Sequence, residues 1–148
     1  MDLVRVLETY CEANNIEFMY GSKSHLNLLE SEITGEKVHL LLFPVRRSTE
    51  TNDYNTAIKA NVYKGNFFLV VASNLDQHYF NEKEQPQETS KYTKNIEPLI
   101  TKWKALENYL LGCVGELEVT QWESIDAIDV LDANKDGLWC TYSIKQDV

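Results

Sequence analysis

Between Tyr92 and Leu110 the large apolar residues Tyr92, Ile96, Leu99, Trp103, Leu106 and Leu110 recur at steps of 4, 3, 4, 3 and 4. An α-helix brings such positions to one side and a strand does not. The spacing therefore predicts a helix over about 95–112 with one apolar stripe. The stripe covers too few heptads for a stable coiled coil, so a sheet is its expected partner. Pro98 fits if Asn95 caps the main helix and Pro98 sits in its first turn. Gly112 or Gly115 then ends it.

The sheet is legible on both sides of that helix. Asp2 can cap a first helix whose Leu3, Val6, Leu7, Tyr10 and Cys11 share a face, and Asn14-Asn15 stops it. Ile16 to Tyr20 reads as a short strand broken by Gly21-Ser22. Ser24 can cap a short helical turn, and Thr34-Gly35-Glu36 reads as a turn. Val38 to Val45 is apolar on both faces, as in a central strand, and Pro44 marks its end. Arg46 to Asp53 reads as an exposed charged excursion. Tyr54 to Tyr63 and Asn66 to Ser73 are expected to form a hairpin around Lys64-Gly65. Asn74 to Ser90 is polar and long enough to suggest a binding loop. Leu117 to Val130 and Leu138 to Ile144 close the pattern as a strand pair with a turn at Asp132 to Gly137.

This order of elements is α+β: a mostly antiparallel sheet with an N-terminal helix and one long helix packed on one face. The 148 residues fit one domain, 1–148, with an exposed loop at about 74–90. A chain of this size buries a core without disulfides or a structural metal.

Composition excludes some functions. Acids outnumber bases 23 to 14, a net charge of −9, which disfavours non-specific binding to phosphate backbones, and no sequence-specific nucleic-acid partner is expected. The apolar runs are far too short to span a bilayer, and Met1 to Arg5 offers no basic n-region of an export signal. A cytoplasmic protein, made and kept or assembled there, is expected. Cys11, Cys113 and Cys140 form no CxxC pair and read as buried, reduced residues. His25, His39 and His78 have no metal-ligand spacing; His39, inside an apolar strand, reads as a packed or surface residue. No hydrolase, zinc-protease or phosphate-loop motif occurs. The chain is expected to be no enzyme and to carry no cofactor.

Three constellations remain. Asp132-Ala133-Asn134-Lys135-Asp136-Gly137 matches the first half of an EF-hand loop, with Asp132, Asn134 and Asp136 at ligand positions. Ser143 stands where a bidentate Glu is required, and strand-like flanks replace the two helices. A tight turn is the preferred reading and weak calcium binding the alternative. Glu116, Glu118, Glu123, Asp126, Asp129, Asp132 and Asp136 face one base, Lys135. Asp126 and Asp129, three apart, share a surface only if the strand is bulged or begins after Asp126. They are solvated positions or a docking surface for a basic partner. Arg46-Arg47 can clamp a carboxylate or phosphate, or pair locally with glutamate in a solvated loop.

The sequence of elements Leu3 to Cys11, Val38 to Val45, Phe67-Phe68-Leu69-Val70-Val71, Tyr92 to Leu110 and Trp122 to Ile144 resembles that of the tail-terminator, tail-completion and head–tail connector proteins of tailed bacteriophages. The resemblance lies in the order of elements along nearly the whole chain, without a residue-level signature. It implies an α+β subunit of the virion neck or tail, closing with copies of itself into a ring and contacting neighbouring virion proteins. Arg46, Arg47, Asp126 and Asp129 are the expected interface residues. The alternative is a small acidic binding module of the immunity or anti-defence type that masks a basic partner.

Overall fold

The computed structural model describes residues 1–22, 37–73, 90–113, 117–130 and 135–148, with the backbone alone at Cys113, Asp129 and Val130. The expected turns near Ser24 and at Thr34 to Glu36, and the loop from Asn74 to its penultimate residue, lie outside them.

Asp2 caps helix α1, Leu3–Ala13, by accepting a 3.3 Å hydrogen bond from the Arg5 N–H. The helix stops where expected. Asn15 adopts a left-handed φ of 56°, and the Ile16 N–H returns 2.9 Å to the Cys11 carbonyl. That is a Schellman closure, and asparagine tolerates its left-handed residue better than most side chains do.

The chain then enters a six-stranded sheet. Its strands are β1 (Glu17–Tyr20), β2 (His39–Leu42), β3 (Arg46–Thr51), β4 (Ile58–Ala72), β5 (Leu117–Val130) and β6 (Lys135–Asp147). The order is β1-β2-β4-β6-β5, with β3 added to β4 beside β2. The β1–β2 pair is parallel and every other pair is antiparallel.

Two expectations about this region are corrected. No hairpin forms around Lys64-Gly65: Ile58–Ala72 is one unbroken strand paired to β6 from Ala60 to Ala72. Gly65 lies inside it because a Cβ there would meet the Tyr142 hydroxyl at 2.8 Å. The hairpin is instead β3–β4, so Arg46 to Thr51 is a strand and not a loop excursion. Its tip is built by Asn52, whose Oδ1 accepts from the Thr56 N–H at 3.0 Å, and by Asn55 with a left-handed φ of 54°.

The long helix begins earlier than expected. Ser90 Oγ accepts from the Thr93 N–H at 3.2 Å, so Ser90 and not Asn95 caps it. Tyr92–Ile96 forms one wide π turn, in which the Glu97 N–H donates to the Tyr92 carbonyl five residues back. Helix α2 follows as Glu97–Cys113. Pro98 lacks the N–H that a regular helix would aim at the Lys94 carbonyl, and the wide turn ends just before it. The helix continues past Gly112.

Both helices lie on one face of the sheet. Leu3, Leu7, Ile96, Leu99, Leu106 and Leu110 pack with Leu40, Leu42, Phe67, Leu69, Leu138 and Cys140 in the main core. Trp103 and Trp122 stack at 6.2 Å, and the Trp122 indole N–H donates to the Trp103 carbonyl at 3.2 Å. This pins α2 to β5. The opposite face carries a smaller cluster of Met19, Leu41, Phe43, Phe68 and Val70, with Trp139 4.6 Å from Phe68.

Candidate functional site

Strand alternation decides where the paired arginines point. Arg46 stands opposite Lys64, on the face away from the helices. Arg47 stands opposite Tyr63, on the helix side. The two guanidinium groups therefore cannot clamp one anion, which corrects the expectation of a two-arginine clamp. They straddle the strand instead.

All six residues of β3 are exposed. Neither Arg46 nor Arg47 has an ion-pair partner among the described residues. Glu50, four residues along the strand from Arg46, bonds elsewhere: Lys145 Nζ lies 2.9 Å from its Oε2. The expected local Arg–Glu pairing is thus replaced by a Lys–Glu pair. That hydrogen bond with Lys145, reinforced by its positive charge, holds the Glu50 carboxyl below the ordinary glutamate value. On the helix side a recess of about 290 Å³ is lined by Arg47, Ser48, Thr49, Asn61, Val62 and Tyr63. Beyond the tip-building asparagines, Tyr54 is 85% exposed and Ile58 is 54% exposed. Nothing in the apolar periodicity distinguished these two from core residues.

The acidic residues occupy the other end of the strand order. Among the described residues β5 pairs only with β6, so its second edge is free of strands. Glu118, Glu123 and Asp126 on it are exposed, and between them Ile125 is 66% exposed. Asp126 stands opposite Leu138, on the helix side, while Glu123 stands opposite Thr141, on the far face. The register is irregular between Ala127 and Val130. The Asp129 side chain itself lies outside the described atoms.

Arg47 and Asp126 cannot meet within one chain. Arg47 lies in the row Arg47–Tyr63–Ile144–Val119, and Asp126 in the row Asp126–Leu138–Leu69–Leu40. From Tyr63 to Leu69 is about 20 Å along β4 at about 3.3 Å per residue. Solvent-exposed charges that far apart are screened from one another.

The EF-hand-like stretch is only partly described. Asp132 and Asn134 lie outside the described residues. Asp136 does not sit in a turn: it lies within β6, opposite Val71, and is fully buried. Its Oδ2 accepts a 2.7 Å hydrogen bond from the Asn95 side chain. Ser90, Lys91 and Lys135 are buried too. Sequence alone placed Ser90 in a loop and Lys135 and Asp136 in a turn, because polar residues at element ends read as solvated. Among the described residues no group of three or more His, Cys, Asp or Glu side chains is arranged to hold a metal.

The remaining candidates are packed. Cys11 and Cys140 are buried free thiols, and burial pushes the Cys11 thiol up to about 12. His39 is buried, with Nδ1 3.1 Å from the Lys37 carbonyl. Desolvation lowers its pKa. Among the described residues no helix is long and apolar enough to cross a membrane. The chain matches no protein-family model, and no curated protein sequence is significantly similar to it.

Proposed function

We propose that this chain is a non-enzymatic assembly subunit that closes with copies of itself into a ring. The ring is of the kind that neck and tail proteins of tailed bacteriophages form in the virion. One observation carries the reading. Two arginines that have no ion-pair partner among the described residues stand on an exposed strand at one side of the sheet, and exposed acids stand on the edge strand at the other. A ring needs two different, complementary patches on each subunit, placed so that they cannot satisfy each other at home. The exposed Tyr54 at the tip of the β3–β4 hairpin adds an aromatic anchor of the type that contributes strongly at interfaces, suited to a neighbouring virion protein.

Electron microscopy of the purified chain tests this. Closed particles with one subunit number are expected. A chain that stays monomeric overturns it.

A second reading rests on β5 alone. Exposed Glu118, Glu123 and Asp126 around Ile125 suit an acidic module that masks a basic protein. A one-to-one complex with such a partner, without self-assembly, would favour that reading.

A further inference from the structure

The directions of the strands say how one copy meets the next. Three antiparallel pairings, β3–β4, β4–β6 and β6–β5, separate the two edges, so β3 and β5 run in opposite directions. When a second copy is brought alongside by rotation about an axis roughly parallel to the strands, every strand keeps its direction. Its β3 then arrives antiparallel to the first copy's β5. Antiparallel addition to a free edge satisfies the outward backbone N–H and C=O groups of both strands.

We propose that neighbouring subunits join by this edge-to-edge pairing, β5 of one copy against β3 of the next, over the length of β3; past Val45 the column that β5 would take is filled by β1, which pairs with β2. The proposal rests on the ring reading and deepens it by naming the contact.

Charge sets the register. If Arg46 lies opposite Ile125 and Arg47 opposite Ser124 of the neighbour, Glu123 is diagonal to Arg46 and Asp126 is diagonal to Arg47. Diagonal positions in an antiparallel pair are about 7–8 Å apart, within reach of arginine. Both faces match at once. Arg46 and Glu123 are on the face away from the helices, and Arg47 and Asp126 are on the helix side. This explains why the arginines are adjacent and therefore on opposite faces: a strand flanked by acids on both faces needs a cation on each. The aliphatic stem of Arg46 would also cover Ile125, the exposed apolar residue on that edge.

The test uses two double variants of the whole chain, Arg46→Glu with Arg47→Glu and Glu123→Arg with Asp126→Arg. All four positions are exposed, and circular dichroism confirms folding. Each variant alone opposes like charges at the contact, so its apparent association should weaken at least tenfold. An equimolar mixture places opposite charges at every contact between unlike copies and should restore association. If a reversal prevents folding, the neutral variants Arg46→Gln with Arg47→Gln and Glu123→Gln with Asp126→Gln replace it; each should weaken association and lose its salt dependence. A wild-type ring that neither reversal nor neutralisation disturbs overturns the edge pairing and leaves the ring reading standing. Reversals that abolish assembly without rescue on mixing also overturn it. A wild-type chain monomeric up to about 1 mM overturns both.

Discussion

Glu50 and Lys145 meet across β4, their charged atoms 2.9 Å apart. Glu50 stands opposite Ala60 and Lys145 opposite Val62, so the pair bridges two strands that are not neighbours. The small Ala60 side chain and the buried Val62 lie beneath it.

The pair has a titration signature. Because the folded-state pKa of Glu50 is depressed, its contribution is present above the unfolded value and is lost as pH falls through the folded one. Carbon-detected NMR should find Glu50 titrating below the ordinary glutamate value. In Lys145→Gln it should rise toward that value, while a Glu50 titration unchanged by this substitution would contradict the bridge.

Two glycines should respond oppositely to alanine. A Cβ at Gly137 would run into the Leu69 carbonyl oxygen and fall 2.8 Å from Val70 Cγ1. Backbone cannot yield as a flexible side chain does, so Gly137→Ala should destabilise by about 1–3 kcal/mol. At Gly112, in the last turn of α2, a Cβ meets nothing within 4 Å. Gly112→Ala should stabilise by about 0.5 kcal/mol. Urea denaturation of both variants measures the two signs.

The Asn95–Asp136 hydrogen bond ties the π turn to β6. Removing a donor from a buried carboxylate leaves that acceptor short of one partner, so Asn95→Ala should cost about 1–3 kcal/mol. Asp136 is held inside the sheet and not offered to a loop ligand set. Millimolar calcium should therefore leave the thermal midpoint unchanged, since a ligand of the folded state would raise it.

The thiols predict an alkaline limb. Burial raises the Cys11 pKa from 9.0 to about 12 and raises Cys140 as well. The unfolded chain ionises first, so stability is full below about pH 9 and falls as pH climbs toward the folded values. Thiol reagents at pH 8 should leave Cys11 and Cys140 unlabelled until denaturant is added. Fast labelling of either in the native protein would contradict their packing.

Much of this fold can be read from periodicity. The stripe from Ile96 to Leu110 faces the sheet, Asp2 caps α1, Asn15 ends it, and β2 stops before Pro44. Where the reading failed, long-range pairing outweighed a local signal. Lys64-Gly65 resembles a turn, but Gly65 is there to admit the Tyr142 hydroxyl. Arg46 to Thr51 looks like a loop because no apolar alternation marks it, yet the ladder to β4 makes it a strand. The residue types of the candidate site were visible at Arg46, Arg47 and Asp126. Their facing was not, because a side chain's face depends on register, and register is fixed only when the partner strand is known. Glu123 gained its place in the same way.

The central claim is self-association through patches of opposite sign, and native mass against concentration tests it most directly. Wild-type chain and the Arg46→Glu, Arg47→Glu double variant would be measured side by side at two salt concentrations. The account predicts one discrete multiple of 17.1 kDa for the wild type, weakened by salt, and monomer for the variant under the same conditions. Wild type and variant with the same mass at every concentration would contradict it.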